Sequence, residues 1–123
     1  MNKTAQYIKS KKDSLSVYFT AEYPKKNSTK EVILALQNAG ADLLEVGIPF
    51  SDPLADGPVI QKSSTQALEN GFTLEQLFND LESIKSEVKI PLVLMGYFNT
   101  LLAYGVENFL KKCKSLNIDN VIF

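Results

Sequence analysis

Short apolar runs separated by amphipathic stretches organise this chain. Leu15 to Ala21 (LSVYFTA) is β-branched and aromatic, which predicts a strand. Leu43 to Gly47 predicts a second strand. Leu92 to Met95 predicts a third, opened by Pro91, because proline is tolerated at the first residue of a strand. Asn120 to Phe123 reads as the opening of a fourth. Helical patterns fill the gaps. Residues 3–12 read as a short polar helix. Ser28 and Glu31 stand at capping-box spacing, and Val32, Ile33, Leu36 and Ala39 follow at helical period, up to Gly40 as a C-cap. Val59 to Asn70 reads as a helix ended by Gly71. Thr73 and Gln76 form a second capping box, opening a helix with Leu74, Leu77, Phe78, Leu81 and Ile84 on one face. A last helix, Val106 to Ser115, is expected to turn Phe109, Leu110 and Cys113 inward.

Strands therefore alternate with helices, which implies an α/β fold with a parallel sheet and right-handed crossovers. The strands are continuous apolar runs, as expected where both sheet faces are covered. Neither a Gly-x-Gly-x-x-Gly nor a Walker A pattern occurs, so a nucleotide-binding doubly wound fold loses its best support. No low-complexity segment or flexible linker marks a boundary. At 123 residues the chain fits one domain, 1–123.

Composition narrows the function classes. Hydrophobic residues are 45% and charged residues 22%, ordinary for a globular protein and unlike a disordered tail, a collagen or a disulfide scaffold. Formal net charge is −1, so there is no electrostatic footprint for nucleic acid or an anionic membrane. The longest nearly apolar run, Ile90 to Phe98, is about half of the roughly 20 residues a bilayer span needs. The lysine-rich start of the chain lacks the apolar core of a secretory signal. Cys113 is the single cysteine, which fits a cytoplasmic location. There is no His, which excludes Ser-His-Asp triads, Cys-His pairs and His-based metal sites. Proton transfer near neutral pH then falls first to carboxylates, with Tyr, Lys and Cys behind them.

Two carboxylates stand out. Glu45 lies at the C-terminal end of a buried strand, where a charge is costly to desolvate unless paired or functional. In a parallel α/β barrel that end of the strands is the active face. The plainer alternative is a rim charge reaching water or a lysine. Asp56, in the loop Pro49 to Pro58, reads first as turn chemistry before Gly57. Asp52 before Pro53 has the same reading. Asp56 gains interest because its loop leaves the strand that presents Glu45. Two carboxyls in unlike environments can divide acid and base roles.

The stretch Leu44 to Gln61 (LEVGIPFSDPLADGPVIQ) resembles the signature of the tryptophan synthase alpha chain family. Tyr18-Phe19-Thr20-Ala21 and Leu94-Met95-Gly96-Tyr97-Phe98-Asn99 resemble two further segments, in the same order, so the similarity runs from about Leu15 to Phe123. The resemblance implies a (β/α)8 TIM-barrel family fold, with this chain covering about the first half, from β1 to the start of β4. It implies a lyase of tryptophan biosynthesis that cleaves indole-3-glycerol phosphate to indole and glyceraldehyde 3-phosphate. By motif, Glu45 is the proton-shuttling glutamate and Asp56 the aspartate that holds the indole N–H. Tyr18, Ile60, Leu94 and Tyr97 become candidates for an apolar indole pocket, against an equal claim of plain core packing. The family's alpha chain carries no cofactor and no metal; pyridoxal phosphate belongs to a beta chain, its partner in an alpha2-beta2 heterotetramer. Asp52 and Pro53 are the interface candidates.

Two positions depart from the family pattern. Glu22 stands where members usually have Gly; if that turn needs a positive φ, Glu costs roughly 1–2 kcal/mol. Thr100 follows Asn99 where many have Pro. A whole barrel also needs about 250 residues and eight strands. The family's phosphate-binding loops follow strands seven and eight. A 123-residue form is thus expected to be a fragment or a truncation, weak or inactive alone and prone to self-association. The alternative function is an interaction module for the beta chain.

Overall fold

The computed structural model describes residues 14–50 and 57–123. Its elements alternate as the apolar pattern predicts: β1 (Ser16–Thr20), α1 (Thr29–Asn38), β2 (Leu43–Gly47), α2 (Pro58–Glu69), α3 (Leu74–Ser83), β3 (Leu92–Met95), α4 (Phe98–Tyr104), α5 (Val106–Ser115) and β4 (Asn120–Ile122). The strands pair in parallel in the order β1-β2-β3-β4. The polar helix expected at residues 3–12 lies outside the described residues.

Register decides what each face of the sheet does. Val17, Leu44 and Leu92 form one transverse row, and Phe19, Val46, Leu94 and Val121 another. Both rows belong to the apolar core, with Ile33 of α1, Phe78 of α3 and Phe109 of α5 packed in the same cluster. The rows between them alternate to the opposite face, since strand side chains have period two. These are Tyr18, Glu45, Val93 and Asn120, then Thr20, Gly47, Met95 and Ile122. One face is thus covered by helices, and the other mixes polar residues (Thr20, Glu45, Asn120) with apolar ones (Val93, Met95, Ile122).

Local chemistry explains the helix ends. Thr73 sits in extended backbone and its side chain accepts from the Gln76 N–H at 3.1 Å, as the capping box requires. Ser28 does not cap. Its backbone is already helical (φ −88°, ψ −11°), a geometry that turns the side chain away from the first-turn N–H groups. Its hydroxyl donates to the Lys25 carbonyl at 2.6 Å instead. Two further expectations change. Leu110 is 49% exposed, because the inward stripe of α5 runs through Phe109, Cys113 and then Leu116, and Leu110 stands a hundred degrees off it. The short helix α4, stopped at Gly105 (φ +102°), has no counterpart in the sequence reading.

The turn after β1 is built around Glu22. It adopts φ +59°, the left-handed backbone that Gly would take without strain. The side chain is 4% exposed, and its carboxylate accepts from the Asn27 N–H at 2.8 Å and the Thr29 hydroxyl at 3.0 Å. Its own N–H donates to Thr29 Oγ1 at 2.9 Å. Asn70, at the end of α2, donates to the carbonyls of Glu22 and Pro24 at 2.8 and 3.1 Å. These bonds offset the backbone cost.

Candidate active site

The second face of the sheet opens, at the C-terminal ends of the strands, into a cavity of about 480 Å³. That is within the range of small-molecule sites. Tyr18 and Glu45 are register neighbours on β1 and β2, so their side chains leave the sheet together. Met95 and Ile122 continue the floor toward β4, with Ile48 and Phe123 at the strand ends. The α2 helix supplies a wall through Ile60 and Ser64, one turn apart. Its position is held by a buried bond of 2.8 Å between the hydroxyls of Thr20, at the end of β1, and Ser63. Tyr97 lines the opposite rim and stacks on Phe50, with ring centroids 5.1 Å apart and planes at 21°.

Gly47 is required by this arrangement. The Tyr18 phenol lies across it, so that a Cβ at position 47 would fall 2.5 Å from Tyr18 Cζ. The bare backbone lets the ring lie flat on the floor beside Glu45. Glu45 is half-buried, and its Oε1 accepts from the Ser16 hydroxyl at 2.8 Å. That bond fixes one carboxylate oxygen from behind, on a side chain that borders the cavity.

Of the residues singled out in the sequence, Glu45, Tyr18, Ile60 and Tyr97 come together here. Leu94 does not. It is fully buried against the helices, and its neighbour Met95 lines the cavity in its place. The pleat is the reason: consecutive strand residues face opposite ways, so a one-residue shift exchanges core for cavity. Asp56, Asp52 and Pro53 lie outside the described residues. Met95, Ser64 and Phe50 were not singled out by sequence. Counting by twos along β3 from Val93, the register neighbour of Glu45, would have found Met95. Among the described residues no group of three His, Cys, Asp or Glu could hold a metal ion. None of the described helices is long and apolar enough to cross a membrane. The buried Cys113 is part of the core cluster, and burial pushes its thiol up to about 11.

A sequence model of the tryptophan synthase alpha chain family matches residues 4–123. The chain belongs to that family. It is 55% identical over 122 residues to a tryptophan synthase alpha chain of Flavobacterium psychrophilum, covering 99% of this chain and 48% of that one. It is 52% identical to the alpha chain of Petrotoga mobilis, at 99% and 47% coverage. Among solved structures, the tryptophan synthase subunit alpha of Legionella pneumophila superposes with a TM-score of 0.90 at 34% identity, covering 98% of this chain and 48% of that one. A tryptophan synthase complex from Pyrococcus furiosus superposes at 0.80 and 44% identity, over 88% and 45%. The chain spans about half the length of the curated relatives it matches. The fold is that of the TIM-barrel alpha chains, and the four parallel strands are about half of it.

Proposed function

We propose that this chain supplies the catalytic carboxylates of a carbon-carbon lyase that cleaves indole-3-glycerol phosphate to indole and glyceraldehyde 3-phosphate. Membership of the alpha chain family supports the reaction class, and tryptophan biosynthesis as its setting. The observation that carries the reading is Glu45: a carboxylate bordering a largely apolar cavity, at the end of the strands where barrel enzymes do their chemistry.

The indole ring packs among Ile48, Ile60 and Met95, with the phenols of Tyr18 and Tyr97 at its edges. Glu45, in its acid form, gives a proton to indole C3. As a base it takes the proton of the hydroxyl on the side-chain carbon bonded to C3. That carbon becomes the aldehyde, the carbon-carbon bond breaks, and its electron pair restores the indole ring. Protonation at C3 leaves the ring nitrogen electron-poor, and an anion beside its N–H stabilises the charge. Asp56 takes that role. It directly precedes Gly57, the N-cap of the helix that carries Ile60 into the cavity wall. The chain itself works without a cofactor. Pyridoxal phosphate belongs to a beta chain, which docks near Asp52 and Pro53 in a cytoplasmic alpha2-beta2 assembly.

The test is release of indole from indole-3-glycerol phosphate by a full-length barrel that contains this chain. Glu45→Gln and Asp56→Asn are each expected to lose about 10²-fold or more in turnover while keeping wild-type circular dichroism. Undiminished turnover in both variants overturns the mechanism.

A further inference from the structure

Ser63 and Ser64 are adjacent on α2 but differ in how their hydroxyls are used. Ser63 Oγ is bonded to Thr20 Oγ1 at 2.8 Å and donates to the Ile60 carbonyl at 3.0 Å. A helical serine ordinarily hides its hydroxyl by donating to the carbonyl four residues back. For Ser64 that acceptor is the same Ile60 carbonyl, already used by Ser63. Thr65, next along, donates to Gln61 in the ordinary way, at 3.0 Å. Ser64 is only 3% exposed, yet its hydroxyl has no hydrogen-bond partner among the described residues. No described side-chain polar atom is sealed away from solvent without a partner, so the Ser64 oxygen opens on the cavity that the residue lines. A hydroxyl left unpaired on a cavity wall keeps its donor and acceptor capacity for a ligand.

We propose that Ser64 is a ligand-positioning residue, whose hydroxyl hydrogen-bonds a hydroxyl of the substrate's glycerol chain. This rests on the lyase reading given above. The apolar wall receives the ring, which leaves the hydroxylated chain to the polar groups, and Glu45 and Ser64 border one cavity. The bond would select a polyhydroxylated side chain over a deoxygenated one.

The chain contains no Trp, so indole fluorescence reports a bound ligand against an empty background. The experiment compares Kd for indole-3-glycerol phosphate with Kd for the analogue carrying a propyl phosphate chain, which lacks both glycerol hydroxyls. Both are measured in the Glu45→Gln background so that substrate is not consumed. Adding Ser64→Ala is expected to weaken the glycerol ligand roughly threefold to tenfold and leave the propyl analogue unchanged. Ser64→Cys, close in volume with a weak thiol donor, is expected to show the same selective loss and guards against a folding defect in the first variant. An equal change for both ligands, or no change for either, overturns the role of Ser64 and leaves the lyase reading standing. Failure of the parent protein to bind either ligand overturns both.

Discussion

Two glutamates stand at the same rim of the sheet, and the protein treats them in opposite ways. Glu22 sits in the turn after β1 and is the more buried, but its carboxylate is held by the Asn27 N–H and the Thr29 hydroxyl. Glu45, two residues before the end of β2, is less buried, is held by Ser16 through one oxygen and borders the cavity. Burial alone would have pointed to Glu22. What separates the structural acid from the one proposed for chemistry is whether the protein has already used its hydrogen-bonding capacity. Ser63 and Ser64 repeat the contrast one layer away.

The sharpest way to break this comparison is to exchange effects between the two glutamates. Glu45→Gln is expected to cost turnover by about 10²-fold or more while the melting temperature stays unchanged, since the amide oxygen still accepts from Ser16. Glu22→Ala should do the reverse. It strands the Asn27 N–H and the Thr29 hydroxyl and keeps the left-handed backbone, for a loss of about 2–4 kcal/mol in urea unfolding. Glu22→Gly loses the same bonds but relieves the backbone, so it should be about 1 kcal/mol more stable than Glu22→Ala. A Glu22→Ala protein as stable as the parent would remove the basis for calling this residue structural.

A smaller effect separates the two capping-box residues. Thr73→Ala is expected to cost about 1 kcal/mol, because its side chain bonds the Gln76 N–H. Ser28→Ala loses no cap, only the bond to Lys25, and should cost less. Equal costs would show that the extended backbone at Thr73 does not matter.

The gentlest test concerns Cys113, buried like Glu22 but without donors to hold its charged form. Burial raises its thiol from 9.0 to about 11 in the fold. The folded state therefore holds the proton more tightly than the unfolded one. Its contribution is full below about pH 9 and is lost as pH rises toward about pH 11. Tyr104 shifts in the same direction, first through burial and then through Glu75, so the reading needs a difference. The melting temperature of the parent should fall faster than that of Cys113→Ala across this window. Parallel curves would mean that the thiol is not buried as described.

The elements were legible in the sequence where local rules suffice. Apolar runs of strand length set β2 and β3 to the residue, and Thr73 announced α3, because these signals rest on neighbours one to four positions away. Glu45 was legible as a carboxylate in an apolar strand, although it stands at the middle of β2 and not at its end. The inward face of α5 was misjudged at Leu110 and α4 was missed, since a seven-residue helix offers too few turns for a period to show.

By itself, then, the sequence determined the order of strands and helices, the family, and the chemical types available for proton transfer. Tertiary structure alone decided which side chains are free to act. The bond that occupies Ser63 reaches Thr20, 43 positions away, whereas those on the Glu22 carboxylate span only five and seven; the pleat that sends Leu94 to the core and Met95 to the cavity is set by pairing with β2. Where hydrogen-bond capacity is spent between distant segments, as between Thr20 and Ser63, no local pattern records it.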